Sequence, residues 1–468
     1  MTTSVLPLSE TTNSQTTLAA MQQRLADDGI EYLLVQFVDI HGSAKVKMVP
    51  ADCLEAVTTD GAGFAGAAVW GMGHGPHSHD LLGRVDLDSY TPLPWEPGVA
   101  RFAADIYVDG SPHPYCPRVN LKRVLAELRA EGYIFNVGIE PEFFLVKRQA
   151  DGSIAIADDA GIDTLSKACY DFKGFSQFMP FLRELNEYFA KLGWGNYQTD
   201  HEDANGQYEI NYRYADALTG ADRHTFSKML TSQLGKKHGV IATHMAKPFG
   251  DQTGSGAHYH FSLKEIASGI NPFLATGHDP NGLGQSAMAY HFIGGVLKHA
   301  RALCAITSPT VNCFKRLQVG AAMSGNRSGN TWTPAFIAYG DNNRTLMLRC
   351  PAPGRFEDRT VSAAHNPYLA LAAYITAGLD GIRNKIDPGK PFVNINMCDV
   401  PAAELFAQGI NILPQSLPEA IDELKQDTLI QSALGPIAEE FIRLKEGEWR
   451  EYHRTVTQWE IDRYLTLF

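Results

Sequence analysis

The chain has 468 residues, with 40 lysines and arginines against 52 aspartates and glutamates, a formal net charge of −12. Hydrophobic residues at 44% and charged residues at 20% match an ordinary globular protein; they exclude a disordered, collagen-like or coiled-coil chain and allow two or three domains. The acidic balance excludes a general binder of nucleic acid or anionic membrane, so a bound phosphate would need locally placed arginines or metal ions.

The first seventeen residues are rich in Ser and Thr and hold no Lys or Arg. They have neither the basic start nor the apolar core of a signal peptide and are expected to form a flexible tail, 1–17. Residues 18–29 read as a helix, and Glu31–Phe37 and Lys45–Val49 as strands around His41-Gly42. A Gly-rich stretch, Gly61–Gly75, and the turn-forming Pro92–Pro97 lead to strand-like residues 99–107. Pro and Gly cluster at Gly110–Arg118 ahead of a helical Val119–Glu131. This boundary divides the chain into a small domain, 18–112, and a large one, 113–468. The large part mixes helices and strands without βα alternation, which predicts the α+β class. Asn366-Pro367 reads as a helix start with Gly378 near its end, and Ser416 with Glu419 has capping-box spacing. Seven cysteines, scattered and never in a CxxC pair, predict a reducing compartment, the cytoplasm. No apolar run reaches membrane-spanning length.

Four segments carry chemistry. In Val137–Val146, Glu140 and Glu142 share one face of a strand while Val137, Ile139, Phe143 and Leu145 share the other. Neighbouring carboxylates repel unless one is protonated or a cation lies between them. In His201–Tyr212, Asn205-Gly206 reads as a two-residue hairpin turn, which places Glu202 opposite Glu209, a pairing that only a metal would favour. Thr253–Ser262 puts His258, His260 and Ser262 on one face after a glycine turn whose amides are candidates for an anion. Arg355–Arg359 sets two cations around Glu357. Five carboxylates and one or two imidazoles suit Mg²⁺ or Mn²⁺ better than a thiolate-bound metal. Arg316, Arg344 and Arg349 could then neutralise phosphate. No Walker A, dinucleotide or kinase motif accompanies them.

The order and spacing of Glu140-Pro-Glu142-Phe-Phe, Glu202…Gly206-Gln-Tyr-Glu209, Gly254-Ser-Gly256…His258…His260, Lys315-Arg316-Leu, Asn343-Arg344, Arg355-Phe-Glu357-Asp-Arg359 and Asn366-Pro-Tyr368 resemble the glutamine synthetase family from about Tyr32 onward. The resemblance implies a small β-grasp domain followed by a catalytic domain with a curved antiparallel sheet. It implies one divalent ion on Glu142, Glu202 and Glu209 and a second on Glu140, His258 and Glu357. It further implies Gly254, Arg316 and Arg359 as glutamate ligands, and His260, Ser262, Tyr214, Arg344, Arg349 and Arg355 as contacts of ATP or its transferring phosphate, Arg344 and Arg316 being the catalytic pair. The implied reaction passes through γ-glutamyl phosphate, and the implied assembly is a dodecamer of two stacked hexameric rings with sites shared between subunits.

Two departures bear on the acceptor. Family members carry Gly-Phe-Asp-Gly-Ser-Ser, whose Asp helps bind ammonium; here the stretch is Gly63-Phe64-Ala65-Gly66-Ala67-Ala68. Beyond Arg316, Ala322 stands where the family places a glutamate. Losing a carboxylate costs charge stabilisation but makes room for an alkyl group, so the expected acceptor is a small alkylamine, methylamine first. The wording around Thr59–Gly66 and His201–Tyr212 also resembles the family's γ-glutamylmethylamide-forming branch and its type III-like relatives. A ligase for ammonia or a longer amine, a silent structural relative and a metal-dependent hydrolase are the alternatives. Cys398 replaces the family's adenylylated tyrosine, which predicts no control of that kind. His74, His77 and His79 read as solvated loop histidines, Cys313 as a packing residue, and Trp449, Tyr452, Trp459 and Tyr464 as aromatics that pack helices or subunit contacts.

Overall fold

The computed structural model describes residues 16–319 and 333–468. Strand-forming residues early in the chain build a first sheet from β1 (Tyr32–Val38), β2 (Ala44–Pro50), β3 (Ala62–Phe64), β4 (Leu81–Val85), β5 (Thr91–Pro92), β6 (Val99–Val108) and β7 (Ser111–Pro112). Its order is β2-β1-β6-β4-β3, with β5 and β7 also pairing on β6. Alternation on β1 and β6 sends Leu33, Val35, Phe37, Phe102, Ala104 and Ile106 into a core of their own, closed by Met21 and Leu25 of the helix Leu18–Asp27. Edge strand β2 leaves Lys45 and Lys47 toward solvent, and charged residues on an edge oppose further strand pairing.

The second sheet comprises β8 (Tyr133–Arg148), β9 (Ile154–Ile156), β10 (Gln198–His201), β11 (Gln207–Asn211), β12 (Ala215–Asp216), β13 (Ile241–Thr243), β14 (Ala257–Glu265), β15 (Tyr339–Gly340), β16 (Leu348–Ala352) and β17 (Arg355–Asp358). Its order is β10-β11-β8-β14-β17-β16-β15, with β9, β12 and β13 also on β8. All pairs are antiparallel except β15 with β16. Period-two alternation divides its two faces. Phe135, Ile139, Phe261 and Phe356 pack into one large core with Phe292, Leu371 and Tyr374 of the helices Ala287–Lys298 and Pro367–Asn384. The intervening residues of the same strands face the other way and carry the charges.

The helix Pro117–Ala130 ties the two sheets together. Its Arg118, almost fully buried, bonds Asp86 and Asp105 of the first unit at 2.9 and 2.7 Å and Asp222 of the helix Ala217–Lys237 at 2.9 Å.

Several expectations are adjusted. The tail's last two residues are engaged: Thr16 Oγ1 donates to Asp88 at 2.6 Å and Thr17 caps the first helix; the rest of the tail lies outside the described residues, as does Ala322. The helix at Asn366 runs to Asn384, past Gly378, and ends where Lys385 turns left-handed at φ 50°. Gly378 is interior because a Cβ there would collide with the Phe292 ring. Ser416 and Glu419 form half a capping box: Ser416 Oγ accepts from the Glu419 amide at 3.4 Å. The Glu419 carboxylate, however, accepts from the Gln415 amide and from Arg301.

Candidate active site

The charged face of the second sheet lines a cavity of about 900 Å³. Register assembles its wall. Pairing of β14 with β8 sets His258 opposite Glu140, pairing of β14 with β17 sets His260 opposite Glu357, and pairing of β11 with β8 sets Glu209 opposite Glu142. His258 is the hub. Its Nδ1 lies 3.5 Å from Glu140 and 3.7 Å from Glu357, and its Nε2 lies 3.6 Å from Glu142. These gaps are too long for hydrogen bonds and leave the ligand atoms in two groups, Glu140–His258–Glu357 and Glu142–Glu209–His258, each within 4.8 Å.

The electrostatics of the two groups differ. Burial works against the charge on Glu140, but His260, 2.9 Å away, and His258 hold its carboxyl well below the usual range. Burial also opposes the charge on Glu357, yet Arg359, backed by both histidines, holds it at about 2. On the other side cationic compensation is weak, Arg359 opposing only part of the rise at Glu202. Burial, then the neighbouring Glu140, Glu202 and Glu142, drives Glu209 well above the usual carboxylate range. Burial, then Glu142, pushes Glu202 up to about 8. An oxygen-rich, over-charged pocket of this kind fits hard divalent cations.

Five arginines, Arg316, Arg344, Arg349, Arg355 and Arg359, line the same cavity. Arg316 is buried and held by the carbonyls of Thr360, Val361 and Arg359 at 2.9, 3.3 and 3.1 Å. Its Nε, like that of Arg359, is buried without a partner among the described residues. Gly254 lines the wall beside Arg316, where a side chain would run into the Ala246 carbonyl.

Structure and expectation diverge at four places. The hairpin register is offset by two residues: Asp200 is opposite Glu209, and Glu202 starts the turn, its amide bonded to the Gln207 carbonyl. The offset is even, so Glu202 still reaches the cavity, but outside the two close ligand groups. Glu357 takes its cations from Arg349 at 2.6 Å and Arg359 at 2.7 Å rather than from Arg355, because the register of β16 against β17 places Arg349 beside it. The glycine-turn amides are spent inside the protein, Gly256 on Glu142 at 2.8 Å and Ser255 on Ala246 at 2.8 Å. Ser262 and Tyr214 do not line the cavity; Tyr214 stands half-exposed beside Gly138, next to His260. Ala65, exposed just after β3, does not line this chain's cavity, and the expectation of sites shared between subunits did not ask it to.

Other cavity residues escaped sequence reasoning: Lys167, Cys169, Tyr170 and Tyr197 from stretches without periodicity, and Asp200. Only Asp200 had a signal, its two-residue spacing from Glu202. Among the described residues, His74, His77 and His79 form no metal-ligating group; His79 instead meets Asp109 at 2.7 Å and His74 packs on His113. Cys313 is a core residue, 3.2 Å from Ser362 Oγ.

The sequence family described as the glutamine synthetase catalytic domain matches residues 114–464. A glutamate–methylamine ligase from Methyloversatilis universalis is 48% identical over 96% of this chain and 99% of its own length. A glutamine synthetase from Rhizobium meliloti is 40% identical, over 93% and 96%. Among solved structures, an ADP complex of GmaS superposes with a TM-score of 0.87 at 42% identity, covering 95% of this chain and 99% of that one. A ligand-free GmaS gives a TM-score of 0.85 at 40% identity.

Proposed function

The chain belongs to the glutamine synthetase family, and from that premise we propose that it is an ATP-dependent ligase joining L-glutamate to methylamine to form γ-glutamylmethylamide. The observation that carries the acceptor is the similarity, along nearly the whole of both chains, to a glutamate–methylamine ligase. Ala65 in place of the family's ammonium-binding aspartate agrees with it.

Glu140, His258 and Glu357 would hold one Mg²⁺ or Mn²⁺, and Glu142 and Glu209, with Glu202 from the adjoining turn, a second. Bound there, the ions supply charge neutralisation on the phosphates. The protein's own groups do the rest. Arg344, Arg349 and Arg355 hold the phosphates of ATP, while His260, Ser262 and Tyr214 lie on the nucleotide side. Gly254, Arg316 and Arg359 hold glutamate, and the buried Nε atoms of both arginines, without a partner among the described residues, are donors suited to an anion. A γ-carboxylate oxygen of glutamate attacks the γ-phosphorus and ADP leaves. The amine nitrogen then attacks the acyl carbon, the C–O bond to phosphate breaks, and the nitrogen releases a proton. Fixed arginines need no reorganisation as charge moves between the oxygens.

The division at 112/113 is supported by the separate core of the first sheet and by the start of the family match at 114. A homo-oligomer of stacked rings, with Ala65 facing a neighbour's cavity, is supported by Ala65 being exposed and not lining the cavity of its own chain. Residence in the cytoplasm is supported by seven free cysteines; no described helix is long and apolar enough to cross a membrane.

Phosphate release with glutamate, ATP and Mg²⁺, measured against methylamine, ethylamine and ammonia, tests the reading. Methylamine should give the highest kcat/KM; a higher value with ammonia would overturn the acceptor.

A further inference from the structure

Glu202 sits in a turn rather than a strand, and among the described residues its carboxylate accepts from the next amide, Asp203, at 3.2 Å and from no other group. What holds it comes from elsewhere. Asp163, buried in a segment without regular structure, spends its carboxylate on this turn. Oδ2 accepts from the Gly206 amide at 2.7 Å and meets His201 Nε2 at 2.8 Å, and Oδ1 accepts from Asn205 Nδ2 at 2.8 Å. His201, fully buried, turns its other nitrogen to the carbonyl of Glu202 itself, at 2.9 Å. One carboxylate and one imidazole thus clamp both ends of the turn.

Gly174 lies directly against the clamp. A Cβ there would come within 2.6 Å of His201 Nε2 and 2.8 Å of Asp163 Oδ1. The same segment then closes over the cavity: the Tyr170 amide donates to the His201 carbonyl at 3.0 Å, and Cys169 and Tyr170 line the wall. A ligand carried on a loop is only as well placed as the groups packed behind it, and such supporting groups typically change metal affinity when removed.

We propose that Asp163 and His201 are positioning residues for Glu202, with Gly174 as the small residue that lets them meet; the proposal rests on Glu202 being a metal ligand. Both hydrogen-bond ends of His201 are fixed, so the Glu202 carbonyl, and with it the direction of its side chain, is fixed too.

The test is Mn²⁺ binding to the full chain, followed by the loss of the free-ion electron paramagnetic resonance signal, alongside thermal melting without metal. Glu202→Gln should weaken binding. Asp163→Asn should weaken it by about 10- to 100-fold, lowering kcat more than it raises the KM for glutamate. His201→Gln, which keeps a donor toward Asp163 but loses the bond to Glu202, should fall between Asp163→Asn and the native protein. Gly174→Ala perturbs the clamp by shape alone and should resemble Asp163→Asn. It also serves if Asp163→Asn fails to fold. Native Mn²⁺ affinity in Asp163→Asn or Gly174→Ala, with affinity lost in Glu202→Gln, overturns the positioning role whatever happens to melting. Native affinity in Glu202→Gln overturns instead the assignment of Glu202 as a ligand.

Discussion

Glu209 lies directly opposite Glu142 on neighbouring antiparallel strands, the two residues 6% and 5% exposed. Glu142 accepts from Gln207 and from the Gly256 amide, both at about 2.9 Å or less, and Glu209 accepts from Asn211 at 2.9 Å. No cation among the described residues ion-pairs with Glu209, and like charges facing each other across a ladder are destabilising. The arrangement is a stability cost that a divalent ion would offset.

This makes the metal-free protein sensitive to pH in a definite direction. Glu202, with its carboxyl at about 8, and Glu209, also well above the usual carboxylate range, bind protons more tightly folded than unfolded. Their contribution to stability is therefore fullest below the unfolded carboxyl value of about 4.3 and is lost as pH rises through the folded values. Added Mn²⁺ or Mg²⁺ must displace those protons. The gain in Tm on adding metal should grow steadily from about pH 6 to about pH 9. Differential scanning calorimetry at a series of pH values reads this directly, and a gain independent of pH would contradict it.

Substitutions at the pair should separate stability from activity. Glu209→Gln removes the uncompensated charge while keeping the shape, so the metal-free protein should gain about 1–2 kcal/mol while turnover is lost. Glu142→Ala should also abolish turnover. Denaturant melts and a phosphate-release assay on the two variants check both halves.

Arg118 offers the opposite case, a buried charge that is fully compensated. Its partners Asp86, Asp105 and Asp222 come from both parts of the chain. Arg118→Met would leave Asp222 without its cation and Asp86 and Asp105 with Lys122 alone, and cost about 3–5 kcal/mol. Burial raises the Asp86 carboxyl, but Arg118 and Lys122 outweigh it and hold it at about 2. Its share of the stability is present above the ordinary Asp value of about 3.9 and disappears as pH falls toward 2. Urea melts of the native protein and the variant at neutral and acid pH should converge as the pH is lowered.

The acceptor can be probed from the N-terminal side. Ala65→Asp restores a carboxylate where the family resemblance places one. The ratio of kcat/KM for ammonia to that for methylamine should rise by about tenfold or more, equivalent to about 1.4 kcal/mol of discrimination. Competition between the two amines in one assay measures the ratio without depending on how much enzyme is active.

Most of the chemistry was legible along the chain because strand alternation is a local property. Glu140 with Glu142, and His258 with His260, share a face whatever the rest of the protein does. The glycine-turn and arginine motifs stood beside them in an order that resembled one family. The helix at Asn366 was legible at its start, where Asn and Pro act locally. It was not legible at its end, where a phenylalanine 86 residues earlier takes the place of a glycine side chain.

What the chain alone determined, then, is which residue types stand at strand spacing and hence which side chains can face together. Tertiary structure decided who meets whom. A two-residue shift in one hairpin exchanged Glu202 for Asp200 as the partner of Glu209, and the register of β16 on β17 exchanged Arg355 for Arg349 at Glu357. The clamp of Asp163 on His201 had no signal at all, since the two residues stand 38 positions apart with the helix Met179–Lys191 between them. Register and long-range burial depend on the packing free energy of the whole sheet, which no local window contains.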